Sequence, residues 1–237
     1  MELIGLFDIC VCSMIKNEIE ILPMYYRYIK KWCKRWKVLD HGSDDGSLEF
    51  LQHMKDRHEI DIEVFQRPMN DFSKDFYGEW NWILDKSDCK WTYVGHIDEV
   101  SPFMDKILSV ILEYESIFII KREELISLLP PLTMGKEQPF MRIFPTKWKT
   151  RFTEDNHVHT EQFNADGKPI RLANIQFYHL GELRNTEHIR FKEKSYEDCS
   201  GNSILGSKFS DEDRENRRDK ATILKDECLS LLADMIL

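Results

Sequence analysis

Four groups of side chains in this 237-residue chain have the chemistry of a reaction site. The first is His96-Ile97-Asp98-Glu99, which ends the apolar run beginning at Trp91. Two adjacent carboxylates raise the local negative potential and invite a cation. An oxygen of Asp98 suits a hard divalent ion. An exposed acidic turn after a strand would read the same way. The second group is Asp40 with the turn His41-Gly42-Ser43-Asp44-Asp45-Gly46-Ser47 behind it. A carboxylate there can accept hydrogen bonds from a nucleobase N–H or a ribose hydroxyl, or serve only to close a strand-to-helix turn. The third is Thr153–Glu161, with three carboxylates and two imidazoles in nine positions. His157 and His159 share a face if the backbone is extended. Asp155 or Glu161 can act as a general base toward an acceptor hydroxyl, and a solvated loop is the plainer alternative. The fourth is His179, a lone histidine that can be structural or, at a strand terminus beside Asp98, complete a metal shell. Arg184, Arg190, Lys192 and Lys194 follow it and can hold phosphate oxygens.

These groups need elements to position them. Apolar and alternating runs predict strands over Phe7–Ile15, Lys37–Asp40, Ile60–Phe65, Trp91–Ile97, Ser116–Ile120, Phe140–Phe144 and Ile170–Tyr178. Ile21, Leu22, Tyr25, Tyr26, Ile29, Trp32, Cys33 and Trp36 recur at helical spacing, with Pro23 in the first turn. Further helices are expected from Leu48, with Ser47 as N-cap, over Phe72–Leu84 and over Met104–Ile111. Glu123–Gln138, with Leu128-Leu129-Pro130-Pro131 inside it, reads as an irregular loop. Strands alternating with helices imply parallel βαβ crossovers. In such sheets ligands bind outside the carboxyl ends of the strands, where Lys16-Asn17-Glu18, Asp40 and Asp98 are all expected. Gly201–Ser207 reads as a linker. The stripe Ala221, Leu224, Cys228, Leu231 and Met235 marks a terminal helix. It packs back on the domain or pairs with a second subunit, so a monomer or a homodimer is expected.

Composition narrows the class. Hydrophobic residues make up 42% and charged residues 32% of the chain, enough for a core. A net charge of −9 argues against a nucleic-acid binder, which carries a basic face. None of the six cysteines forms a Cys-x-x-Cys pair, which points to free thiols in a reducing compartment and away from zinc. The start of the chain lacks the basic segment and cleavage site of a signal peptide, and no apolar run is long enough for a membrane span. A cytoplasmic protein is expected. Arg27, Lys30, Lys31, Lys34 and Arg35 form a cationic face of the kind usually solvated, and it is also compatible with peripheral contact with an anionic membrane or an acidic acceptor.

Three of these motifs, in this order, resemble glycosyltransferase family 2, whose nucleotide-sugar-binding domain has the GT-A fold. They are Met14-Ile15-Lys16-Asn17-Glu18 with Ile21-Leu22-Pro23 behind it, Asp40-His41-Gly42-Ser43-Asp44-Asp45-Gly46-Ser47, and His96-Ile97-Asp98-Glu99 as a variant of the Asp-x-Asp metal motif. The resemblance spans residues 7–196 or so. It implies an α/β, Rossmann-type α/β/α sandwich with a mainly parallel central sheet and a C-terminal helix. The catalytic domain would occupy 1–200, nucleotide-binding over 1–100 and acceptor-side over 101–200. The linker and amphipathic helix would occupy 201–237.

The same resemblance implies a nucleotide-diphosphate sugar donor and Mn²⁺ or Mg²⁺ held by Asp98, Glu99 and His179. It places Lys16, Asn17, Glu18, Asp40, His41, Asp71, His96 and Lys192 around the donor. It implies an inverting transfer to a glycan, lipid-linked or protein acceptor, with Glu161 or Asp155 as base. His41 and His96 stand where relatives carry carboxylates. Two other readings compete with this one. A sugar-phosphate nucleotidyltransferase would need a Gly-rich loop after the first strand, where Lys16-Asn17-Glu18 has none. A non-catalytic carbohydrate- or partner-binding module would retain the fold with a degenerate site.

Overall fold

Phe7–Ile15 forms β1, and its alternating side chains fill two separate cores. Ile9, Val11 and Ile15 pack on one face and Cys10 and Cys12 on the other, all buried. A strand apolar on both faces belongs inside a parallel sheet with helices above and below. The structure, a computed structural model, describes residues 7–67, 76–101, 104–128, 131–153 and 163–179. Within them the elements after β1 are α1 (Leu22–Ile29), β2 (Cys33–Asp40), α2 (Ser47–Asp56), β3 (Asp61–Gln66), α3 (Phe76–Leu84), β4 (Trp91–Val94), β5 (Glu99–Val100), α4 (Met104–Ile111), β6 (Ile117–Leu128), β7 (Pro131–Pro145) and β8 (Ile170–His179).

The chain has the expected α/β fold, a GT-A-like, Rossmann-type arrangement. One eight-stranded sheet runs β3-β2-β1-β4-β7-β6-β8-β5. The four strands β3, β2, β1 and β4 are parallel. Beyond β4 the sheet is mixed: β7 is antiparallel to β4 and to β6, β8 runs parallel to β6, and β5 is antiparallel to β8. The strand order reverses between β1 and β4, and in open α/β sheets ligands bind outside the carboxyl ends of the strands at such a switch point. The core on one face joins α1, α2 and α4 to the sheet through Tyr25, Tyr28, Trp32, Trp36 and Tyr93. Their rings meet at tilted or edge-on angles, with centroids 5.2 Å apart for Trp32 and Tyr93 and 5.7 Å for Tyr25 and Trp36. On the other face α3 contributes Tyr77, Trp80, Ile83 and Leu84. Cys10, Cys12, Cys33 and Cys89 are buried free thiols; Cys199 and Cys228 lie outside the described residues.

Three expected elements differ. The first helix stops at Ile29, and Trp32, Cys33 and Trp36 leave it: β2 begins at Cys33, four residues before the expected Lys37. Apolar spacing of three and four suits either state over so short a run, and here the ladder to β1, from Phe7 opposite Cys33 to Ile15 opposite Asp40, prevails. The expected loop over Glu123–Gln138 is instead the arm of a long β6–β7 hairpin whose pairing reaches Leu128 opposite Pro131. Pro131 opens a strand, where proline is tolerated. The fourth strand ends at Val94, short of Ile97, so Asp98 sits in a turn and Glu99 opens β5.

Gly95 explains that early end. A Cβ there would lie 2.3 Å from the Tyr25 hydroxyl, 2.7 Å from Val11 and 3.0 Å from Ser13 Oγ. Only a residue without a side chain lets the backbone pass this close to α1 and β1. Gly95→Ala is therefore expected to cost about 1–3 kcal/mol of stability through overpacking. Adding Tyr25→Phe should recover part of that loss, as urea unfolding of both variants would measure. Strict additivity of the two substitutions would count against the clash.

Candidate functional site

The carboxyl ends of β1 and β2 are stitched together by side chains that the motifs supply. Asn17 takes a left-handed conformation (φ 56°) and exchanges two hydrogen bonds with Asp44. Its own N–H donates to Ser43 Oγ at 2.9 Å. The Glu18 N–H donates to Ser47 Oγ, and the Ile19 N–H to an Asp45 oxygen, each at 2.9 Å. The expected N-cap role of Ser47 falls instead to Gly46 (φ 98°), while Ser47 is spent on the neighbouring loop. Asp40, 1% exposed, turns its carboxylate inward. It accepts from the N–H groups of Gly42 and Ser43 and from the Ser43 hydroxyl at 2.6 Å. The Asp40 carboxylate thus organises its own turn.

His41 follows the same logic. Its N–H donates to Ile15 O at 3.0 Å, closing the gap between the two strand ends. Its ring Nδ1 lies 3.0 Å from Arg67 O. A carbonyl can only accept, so the proton of the neutral ring sits on Nδ1. Burial pushes the His41 pKa below its ordinary value of 6.5, against the opposing pull of the Arg67 carbonyl, Glu79 and Asp40. Arg67 in turn pairs with Glu79 at 3.1 Å and covers the Trp82 ring.

The end of β4 carries the acidic turn. The Glu99 N–H donates to His96 O at 3.1 Å, so Ile97 and Asp98 form the tip. His96 stacks on Trp80, with centroids 5.0 Å apart and planes 17° from parallel. One donor atom each from His96, Asp98 and Glu99 lie within 4.8 Å of one another. Such a set could hold a divalent cation, the carboxylate oxygens suiting a hard one. Glu99 also enters a buried ion pair: Arg142 Nη2 and Nε donate to Glu99 Oε2 at 2.6 and 3.0 Å. In the β5–β8 ladder, His179 stands opposite Glu99. The backbone therefore brings the late histidine to the acidic turn, across 80 residues of chain (179 minus 99).

Lys16, Asn17, Glu18, Asp40 and His41 thus gather at the ends of β1 and β2, and His96, Asp98 and Glu99 at the end of β4, across the switch point from one another. Asp71, Asp155, Glu161 and Lys192 lie outside the described residues. Arg142 escaped the sequence reading, although a signal existed. An arginine within the strand Phe140–Phe144 is buried, and a buried guanidinium requires an anion. Of the cationic stripe, Lys30 pairs with Glu59, Lys34 with Asp8, and Arg35 with Asp61 and Asp88. Much of its charge is balanced within the fold.

No protein-family model and no curated protein matches the chain. Solved structures of S. aureus TarS do resemble it. TarS 1–349 in complex with UDP-GlcNAc aligns at 15% identity with a TM-score of 0.54, over 90% of this chain and 71% of that one. The complex of the same segment with UDP gives 14% and 0.53, over 92% and 72%. A longer TarS structure gives 14% and 0.50, and this chain spans 44% of its length. Likeness at this identity shows a shared fold.

The His41 environment has a measurable consequence. Below pH 6.5 the unfolded chain takes up a proton that the folded chain resists, so stability is full above that pH and declines as pH falls. One such group contributes at most about 1.4 kcal/mol per pH unit. His41→Gln keeps a donor for the Arg67 carbonyl and cannot titrate. Urea unfolding at pH 7, 6 and 5 should show a shallower decline for the variant; equal slopes would remove His41 from the account.

Proposed function

We propose that this chain is a glycosyltransferase. It would take a sugar from a nucleotide-diphosphate donor and pass it, with inversion, to a hydroxyl on a glycan, a lipid-linked carrier or a protein. One observation carries the reading. The ends of β1, β2 and β4 meet at the topological switch point with the acidic turn His96–Glu99 among them. The fold is similar to that of a protein whose structures hold UDP-GlcNAc and UDP, which supports the same donor class here.

In this reading Asp98, Glu99 and His179, with His96 beside them, would hold Mn²⁺ or Mg²⁺. Such an ion neutralises charge on a departing diphosphate. Lys16, Asn17, Glu18, His41, Asp71 and Lys192 border the donor, and Asp40 fixes the turn that shapes its pocket. Asp155 or Glu161 accepts the proton of the acceptor hydroxyl. A carbon–oxygen bond forms at the anomeric carbon as the bond to the diphosphate breaks. The electron pair leaves with the diphosphate. Orientation and preorganised electrostatics supply most of the rate in such a scheme.

Thermal melting tests the donor class. UDP with Mn²⁺ at a hundredfold excess over Kd should stabilise the chain by about 2.7 kcal/mol. Asp98→Asn should fold normally and lose the Mn²⁺-dependent part of the shift. Absence of any shift with UDP, GDP, CDP and dTDP would defeat the proposal. Binding without hydrolysis or transfer of any nucleotide sugar would favour the non-catalytic module.

A further inference from the structure

The first half of β8 is paired on one side. Ile170 to Ala173 pair with Ile117 to Ile120 of β6, while β5 meets β8 at Tyr178 and His179. Among the described residues, no strand lies against the other edge of Ile170–Ala173. The ladder decides which backbone groups face that edge. The Ile117 N–H donates to Pro169 O at 2.9 Å, so the backbone of Pro169 turns toward β6. These directions alternate along a strand, so the N–H and C=O groups of Ile170 and Leu172 turn toward the open edge. The edge is apolar on both faces. Ile170 and Leu172 are 48% and 59% exposed, on the face they share with Ile117 and α3. On the α4 face Arg171 covers the Tyr114 ring at 4.8 Å, and its Nε donates to Ser116 Oγ at 2.9 Å. The guanidinium that could have guarded the edge is thus engaged within the fold. Tyr114 and Val110 complete the large hydrophobic residues exposed among those described. An open apolar edge without a guarding charge is a template for another strand.

We infer that this edge is an interface at which a second copy of the chain pairs, β8 against β8, about a two-fold axis at Leu172. A helix or a flat surface laid there would leave the edge N–H and C=O groups unmatched, whereas a strand satisfies them. The same edge on a second copy is self-complementary under a two-fold axis. With the axis at Leu172, that residue exchanges both hydrogen bonds of an antiparallel pair with its copy. Arg171 then stands opposite Ala173 of the second copy, so like charges do not face one another. An axis at Arg171 would oppose two guanidinium groups, and the backbone of Arg171 already faces β6. Four half-exposed side chains cover less than the about 800 Å² that each partner of a stable interface buries. A weak dimer, with a Kd in the micromolar range, is therefore expected. Neither metal nor donor enters this contact.

Sedimentation velocity of the full chain across two decades of micromolar concentration tests the interface. Wild type should pass from monomer to dimer. Leu172→Lys sets two ammonium groups across the axis and removes the apolar contact, and should weaken the dimer at least about tenfold. Circular dichroism checks that this variant folds. Cross-linking tests the register independently. Residues of a hydrogen-bonded antiparallel pair have Cα atoms about 5.5 Å apart, within reach of a disulfide. Leu172→Cys treated with oxidised glutathione should give a disulfide-linked dimer, two thiols being oxidised as one glutathione disulfide is reduced to two thiols. Ile170→Cys, off the axis, should cross-link far less, with wild type alongside to report the native thiols. If Leu172→Lys does not fold, cross-linking decides alone. A monomer at every concentration leaves the edge to some other segment and overturns the inference. So does a dimer that Leu172→Lys leaves intact, or equal cross-linking through positions 170 and 172.

Discussion

The structure depends on β1 being hydrogen-bonded from both sides while apolar on both faces. Backbone groups buried this way must find partners in neighbouring strands. Here β2 and β4 supply them, both parallel to β1. Parallel pairing puts like ends together, so the segments that follow β1, β2 and β4 emerge at one edge. Ile15 pairs with Asp40, and the Gly95 N–H bonds to Cys12 O at 2.8 Å. The gathering of Lys16–Glu18, Asp40–Ser47 and His96–Glu99 is thus a consequence of how one strand satisfies its backbone.

Once gathered, those segments face their own accounting problem. The turn after β2 has several N–H groups that no strand or helix can pair, and the loop after β1 has more. The density of Asn, Asp and Ser in both motifs answers this. Asp40 serves the N–H groups of Gly42 and Ser43, while Ser43, Asp45 and Ser47 serve those of Asn17, Ile19 and Glu18. Each bond is modest in net worth, but an unmade one would cost the desolvation of a buried group. Much of the polarity that marks these motifs is therefore spent holding two loops rigid. The groups left to meet a ligand are fewer than the sequence count suggests.

What could be read from the sequence follows the range of the interactions involved. β1, α4 and the start of β8 match their apolar patterns to the residue, because each pattern is long or sharply bounded. The strand ends carrying Lys16 and Asp40 were legible for the same reason. The division between α1 and β2 was not, since Trp32, Cys33 and Trp36 fit a helical stripe and a strand equally, and the ladder to β1 decides. The β6–β7 hairpin was hidden by Pro130-Pro131, which reads as a loop until the pairing is known. The inward turn of the Asp40 carboxylate depends on bonds two and three residues away, and these a sequence pattern does not rank.

Charged residues inside apolar strands are the signal that local pattern reading passes over. Lys37 and Arg142 both occupy such positions, and they are resolved differently. Lys37 sends its ammonium to Glu63 and Asp88, two carboxylates that are themselves substantially exposed, so its charge stays near water. Arg142 meets a carboxylate, Glu99, that is as buried as itself. An ion pair sealed from solvent on both sides contributes little net stability against an apolar alternative. It does hold a defined geometry, because a planar guanidinium makes directional bonds that a hydrophobic contact does not. The fold maintains this pair at the turn that carries Asp98. The location of the charge, more than its energy, gives the pair its meaning.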